Sequence, residues 1–253
     1  MVLLYLIPTY VLFVCLEFII SLFMYEKLYS FKDTFVNFCV GLVWLILELT
    51  VGKYYHQFLH TFLHHPWALS KESWITWIIL LVFYDFAMYW SHRWSHTYKI
   101  LWVSHSVQHS AKKYNLSNAI RQSWTGILFA PSAWLVVLGF HPSMLQTVRT
   151  IAGAYQWCLF TKLIKCPRFV EYIFVTPRYH YIHHQTHQTL QTLQTGNYGL
   201  VFTVWDRIFG TTLSDELRSP TKQRSVDRSY NPFIVMFREW ITLVTQYQGG
   251  PSI

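Results

Sequence analysis

Apolar residues run along this chain in long stretches broken by short polar gaps, the pattern of membrane spans rather than of helices lying on a soluble core. Residues 3–24, LLYLIPTYVLFVCLEFIISLFM, are long enough for a hydrocarbon core that takes about 20 residues at helical rise, with Pro8 and Glu17 as interruptions. Residues 34–51 and 74–91 predict a second and a third span, each carrying one acid, Glu48 and Asp85. Residues 124–140 and 144–164 are apolar again, and GFHPS at 139–143 between them is a turn signal. They predict a helical hairpin that dips into or through the bilayer. NPFIVMFREWITLV at 231–244 mixes aromatic, apolar and charged positions, as a helix along the membrane surface does.

The expectation is an all-α integral membrane protein, with about three full transmembrane helices, a membrane-dipping helical hairpin and a histidine-rich helical cap. It is read as one domain over 1–253. Transmembrane helices fill 1–91, the cap is made by 92–122 and 166–230, the hairpin is 123–165, and 231–253 is an interfacial tail. The chain begins MVLL, without the basic start or small-residue cleavage site of a signal peptide, so the first helix is expected to stay.

Composition agrees with this pattern. Charged residues make up 13% of the chain, well below the roughly 25% of an ordinary soluble domain. Charge also sets an orientation. Of 20 Lys and Arg, four precede residue 92 and sixteen lie at or after Arg93, so the positive-inside rule puts the cap in the cytosol. The membrane would be the endoplasmic reticulum in a eukaryote and the inner membrane in a bacterium. The net charge of +8 does not imply a nucleic-acid partner, because no nucleic-acid motif accompanies it and anionic lipid headgroups are partner enough. The four cysteines have no metal-ligand spacing and read as structural thiols.

The histidines are grouped. Nine of thirteen follow residue 91, and seven of those nine fall in three short motifs. DFAMYWSHRWSH sets Asp85, Tyr89, His92 and His96 on one helical stripe. LWVSHSVQHS carries His105, Gln108 and His109 at i, i+3 and i+4, and RYHYIHH repeats that spacing in His180, His183 and His184. Such neighbours project to one side of a helix and can share a metal. Imidazole-rich sites suit iron, zinc, copper or nickel, and seven imidazoles exceed the four that a single zinc uses, so two metals fit better. Asp85, below the first pair, could hold an imidazole N–H and fix its tautomer.

Other histidines have plainer readings. His56, His60 and His64 form a stripe that could bind metal, but the topology puts it on the opposite face of the membrane, and an interfacial helix is the simpler account. His141, before Pro142, is a turn residue, and His187 belongs to a Gln-Thr-X repeat over 185–196. Asn115 in NLS is a formal glycosylation sequon that a cytosolic cap would leave bare.

The succession DFAMYWSHRWSH, HSAKKYNLSNAIRQSW, YQWCLFT, TPRYHYIHH and NYGLVFTVWDRIFGT, covering about residues 74 to 213, resembles the fatty acid hydroxylase and sterol desaturase superfamily of membrane histidine-box proteins, and most of all its alkylglycerol monooxygenase branch. The resemblance implies two irons that activate O2 to hydroxylate a membrane lipid or cleave its ether, with tetrahydrobiopterin as reductant in that branch. The ligands it implies are His92, His96, His105, His109, His180, His183 and His184, with Gln108 a weak or water-bridged substitute. The chain departs from the family pattern at Gln108 and Phe160, where the family carries histidines, and at Thr195, where it carries an acid. Those departures keep a second reading open, a catalytically degenerate member serving as a membrane scaffold. A sterol or fatty acid desaturase or hydroxylase and a bis-imidazole haem protein are further alternatives. The electron donor, the lipid and the organelle stay open at this point.

Overall fold

The computed structural model describes residues 2–25, 27–62, 69–128, 132–190, 196–213 and 229–248. It is helical, and among the described residues the one sheet-like feature is an isolated antiparallel bridge between Phe174 and Phe202. Helix α1 spans Val2–Leu22, α2 Phe31–Phe62 and α3 Trp74–Ser95. Of these, α2 and α3 are long and apolar enough to cross a bilayer, while α1 contributes the shorter apolar stretch Ile7–Leu22. The surfaces of the three helices explain that composition. Leu12, Phe13 and Ile20 on α1, Phe35, Leu42 and Leu49 on α2, and Ile75, Ile78 and Phe83 on α3 are all exposed. Exposed apolar surface of this extent suits a membrane or a protein partner.

Helix α2 runs eleven residues past the apolar window that ended at Val51. Lys53, Tyr54 and Gln57 end the apolar run without breaking the helix, since none removes a backbone donor. The expected hairpin differs more. Its first arm is a 3-10 turn, Trp124–Leu128, and a four-residue helix α5, Trp134–Val137, in place of one helix over 124–140. Gly126 and Pro131 lie in that run, and proline cannot donate to a helical ladder. Gly139 turns the chain at φ 97°, a region open to glycine. The second arm is helix α6, Pro142–Trp157, with Pro142 at its first position. His141 caps it, its Nδ1 accepting from the Ser143 N–H, so it is the turn residue expected. The main core packs Leu80 and Tyr84 of α3 against Leu135, Met144, Leu145 and Val148.

The polar half is made by α4 (Lys99–His109), a 3-10 turn at Leu116–Ile120, α7 (Pro177–Leu190), α8 (Val204–Ile208) and α9 (Pro232–Gln248). Helix α9 leaves Phe233, Ile241 and Val244 exposed. The acids inside the helices have polar partners, as buried carboxylates require. Glu17 accepts from the Tyr29 hydroxyl at 2.6 Å, the Leu116 N–H at 2.7 Å and the Thr161 hydroxyl. Glu48 accepts from Arg149 at 2.9 Å. Asn115 is buried with both ends committed, accepting from Ser117 N–H and donating to the Leu28 carbonyl, so the sequon is closed by folding as well.

One buried network ties the two halves together. The Arg121 guanidinium, 0% exposed, donates to Asp33 at 3.2 Å, Asn37 at 2.7 Å, the Val107 carbonyl at 3.0 Å and the Ser110 hydroxyl at 2.8 Å. The other Asp33 oxygen accepts the N–H groups of Lys112 and Lys113 at 2.9 Å each. This fastens the start of α2 to the chain leaving the last histidine of α4. Removing one partner of such a pair leaves a buried charge uncompensated, at a cost of about 3–5 kcal/mol. Arg121→Met is therefore expected to lower the unfolding midpoint of the detergent-solubilised chain steeply in a thermal circular-dichroism melt. An unchanged melting curve would show that the network does not hold the halves together.

Candidate metal centre

Three helices bring the histidines together. Helix α3 ends with His92 and His96 one turn apart, the chain turns within three residues, and α4 returns His105 and His109 on one face. Helix α7 supplies His180, His183 and His184. The stripe below His92 faces inward as its spacing implies: Tyr89 is fully buried, and its hydroxyl lies 2.9 Å from that of Thr211.

Five imidazoles converge. The ligand atoms of His92, His96, His105, His109 and His183 all lie within 4.8 Å of one another. An ion bound by imidazole at about 2.1 Å sets opposite ligand atoms about 4.2 Å apart, so the group has the dimensions of a single coordination sphere. His96 is central, its ring 4.7–4.8 Å from those of His105, His109 and His183.

Backbone carbonyls decide which nitrogens are available. His92 Nδ1 lies 2.9 Å from the Tyr198 carbonyl, and His183 Nδ1 lies 2.7 Å from the Gly196 carbonyl. A carbonyl only accepts, so each Nδ1 carries the proton and each Nε2 presents a bare lone pair. Those two Nε2 atoms face each other at 3.1 Å. Neither neutral ring has a proton to give, and two lone pairs at that distance repel unless a cation lies between them. Protonation is opposed by burial, which holds His183 well below the ordinary imidazole range, with His92, His96, His184 and His180 adding to the effect. Burial likewise lowers His109, and pushes His180 down to about 3. The donor set therefore fits a metal ion: five borderline-soft nitrogen ligands, two of them oriented by carbonyls and three of them buried.

The loop behind these carbonyls was not evident from residue type. Asp206, 0% exposed, accepts the N–H groups of Tyr198 and Gly199 at 2.8 Å each and the Thr211 hydroxyl at 2.7 Å. Asn197 adopts φ 61°, a left-handed conformation that asparagine tolerates better than most residues, and its N–H bonds to the Thr211 carbonyl. The one signal for this loop was the NYG and WDRIFGT pair of motifs, which said nothing of carbonyl groups.

Asp85 requires a correction. It takes no imidazole N–H among the described residues. Its oxygens accept from Val201 N–H at 2.8 Å, Phe202 N–H at 3.2 Å and Trp205 Nε1 at 2.9 Å. Asp85 thus anchors the far end of the same loop and acts on the histidines only through it.

His180 and His184 stand apart as a pair, their Nε2 atoms 3.2 Å from each other. The Phe160 ring packs edge-on against both, at 4.8 and 5.4 Å. Gln108 is half-buried and makes no hydrogen bond to a histidine among the described residues. The side chains of His56, His60 and His187, and residues His64 and Thr195, lie outside the described residues.

Fold and site together define a helical protein with two helices long and apolar enough to cross a membrane and a polyimidazole group that fits a metal ion. The model of the family described as Fatty acid hydroxylase matches residues 77–211, a segment that contains all seven clustered histidines. The chain belongs to the fatty acid hydroxylase family. It is similar to the alkylglycerol monooxygenase of Danio rerio, 35% identical over 170 residues that make up 65% of this chain and 35% of that protein. It is also similar to the alkylglycerol monooxygenases of Homo sapiens, 29% identical over 81% of this chain and 45% of that protein, and Caenorhabditis elegans, 28% identical over 77% and 38%. The chain spans less than half the length of these relatives. No solved structure matches it.

Gly196 tests the carbonyl arrangement. A Cβ there would meet the Thr211 carbonyl oxygen at 2.1 Å, which no rotamer relieves. Gly196→Ala is expected to displace the carbonyl that holds His183 Nδ1 and to lower metal affinity about 10–100-fold while helix content is retained. Metal titration followed by circular dichroism measures both, and unaltered affinity would remove the carbonyl from the account.

Proposed function

We propose that this chain is a membrane-bound, iron-dependent lipid oxygenase that uses O2 to hydroxylate an alkylglycerol-type lipid at the carbon beside its ether oxygen, with ether cleavage as the outcome. The observation that carries the reading is the five-imidazole group, in which two oriented nitrogens face each other with no proton between them. His92, His96, His105, His109 and His183 would hold the iron. Bound there, it supplies the dioxygen chemistry that no side chain can, one oxygen atom entering a C–H bond and the other leaving as water at the expense of two electrons and two protons. The tetrahydrobiopterin reductant of the branch it resembles is the donor of choice for a first assay.

The chain's own residues bind and shield. A cavity of about 450 Å³ lies among α2, α3 and α6, lined in part by Trp44, Glu48, Tyr84, Arg149, Trp157 and Phe160. Its apolar wall suits an alkyl chain, and the Glu48–Arg149 pair offers a donor and an acceptor for a glycerol hydroxyl. Phe160 belongs both to this wall and to the surroundings of His180 and His184, so the cavity reaches the edge of the histidine centre. Burial of His96, His109 and His183 limits the access of bulk water to the reacting atoms. In the membrane, α1 is proposed as a third span beside α2 and α3, with the histidine centre at the cytosolic end of α3 and the endoplasmic reticulum as the membrane in a eukaryote. The asymmetry of basic residues and the exposed apolar surface of α1 support that arrangement.

A second reading is favoured by Phe160 and Gln108: a member that keeps the fold and the metal as a scaffold without turnover. The assay separates them. The full chain in lipid nanodiscs, loaded with ferrous iron and supplied with tetrahydrobiopterin and a 1-O-alkylglycerol, is expected to release fatty aldehyde in an O2-dependent manner. Absence of any O2-dependent product from ether lipids, fatty acids or sterols favours the scaffold. The cavity has its own test, because a Cβ on Gly153 meets nothing within 4 Å and Gly153 lines the cavity. Gly153→Trp is expected to cut turnover of long-chain substrate at least tenfold without changing metal content; equal turnover would place the chain elsewhere.

A further inference from the structure

We infer that this chain holds one metal ion, in the five-imidazole group, and that the His180–His184 pair is closed to a second ion by the ring of Phe160. The inference rests on reading the five imidazoles as a metal centre and adds how many ions that centre takes. Donor counting comes first. Seven imidazoles cluster, but their ligand atoms do not divide into two equal sets. Five share one sphere, and among the described residues that is the one group of three or more histidine, cysteine or carboxylate ligands close enough to hold an ion. The two that are left over supply two nitrogens, fewer than the three protein ligands that even an open catalytic site keeps.

Proton placement separates the two sets further. In the first, His92 and His183 each have the far nitrogen fixed by a carbonyl, so their facing lone pairs need a cation. In the second, His180 Nδ1 is buried with no hydrogen-bond partner, so nothing holds that ring's proton away from Nε2. His180 Nε2 is then free to carry the proton and donate to His184 Nε2 across their 3.2 Å separation. An ordinary neutral hydrogen bond satisfies this pair, and no charge is required.

The space beside the pair is taken. Phe160, 2% exposed, sets its ring edge-on to His180 and His184, and Tyr114 stacks behind Phe160 at 5.6 Å while meeting His184 edge-on at 5.5 Å. On the other side, His184 lies flat on His109, ring centroids 4.2 Å apart. A second ion would have to be coordinated beside a hydrocarbon ring that offers no lone pair and excludes the water that could complete a coordination sphere. An imidazole in the place of Phe160 would offer a third nitrogen at that point. Gln108, the polar residue between the two histidines of α4, makes no hydrogen bond that would aim its amide at the pair.

The test is a metal count on the full chain, expressed with iron supplementation, purified in detergent and measured by mass spectrometry against protein from quantitative amino-acid analysis. Wild type is expected to hold about one iron per chain, and His184→Ala to hold the same, because His184 is outside the shared sphere. Phe160→His combined with Gln108→His is expected to raise the count toward two and to add a spin-coupled component to the Mössbauer spectrum of the oxidised protein, whereas Phe160→Leu stays at one. Two irons per wild-type chain, or a count halved by His184→Ala, would overturn the single-ion inference and leave the metal centre standing. No iron in wild type overturns both. The wild-type count decides the matter even where a histidine variant fails to fold.

Discussion

Two imidazole nitrogens, on His92 and His183, face each other 3.1 Å apart while the opposite nitrogen of each ring is committed to a backbone carbonyl. The carbonyls belong to Gly196 and Tyr198, the chain between them is held by Asp206 and by Asn197 in a left-handed turn, and the stretch just beyond is fixed by Asp85 from within the membrane helix α3. His92 and the carbonyl that orients it are thus tied together by α3 and the segment 196–211, about a hundred residues apart in sequence. Orientation of this kind lowers the reorganisation that ligands undergo on metal binding, which is why the groups behind the ligands matter as much as the ligands.

The membrane half places this unit. Helices α1, α2 and α3 turn large apolar side chains outward along their length, and their few acids are answered by Tyr29, Thr161, Arg149 and Arg121 from elsewhere in the chain. The Arg121–Asp33 network joins the first turn of α2 to the segment leaving α4, so the helix pair that carries four of the five converging histidines is fixed to α2. The centre lies at the end of α3, beside a cavity lined by residues of α2, α3 and α6, an arrangement that suits the proposed lipid substrate.

What the sequence made legible follows from the periods of regular structure. Apolar windows located α1, α2 and α3, and the helical spacing put His92 with His96 and His105 with His109, whereas His183 joins those four and His180 and His184 pair apart. The failures have a common origin in groups that carry no residue identity. The orienting carbonyls of Gly196 and Tyr198 are backbone atoms, invisible to any reading by side-chain type. Asp85 sat on the correct stripe, but its oxygens are taken by the N–H groups of Val201 and Phe202, a pairing over more than a hundred residues that no spacing rule encodes. The first arm of the hairpin was apolar enough to be buried, and hydrophobicity alone does not distinguish a helix from a packed turn. The substitution at Phe160 could be seen, but not its consequence: only coordinates reveal that its ring lies against His180 and His184 rather than beside the five that converge.

The claim beneath all of this is that five imidazoles from α3, α4 and α7 form one sphere around a cation. X-ray absorption at the iron edge of the metal-loaded chain tests it most directly. The account predicts a first shell dominated by nitrogen at about 2.1 Å, with the multiple scattering of about five imidazole rings. A shell of oxygen or sulfur donors with two imidazoles or fewer would contradict it.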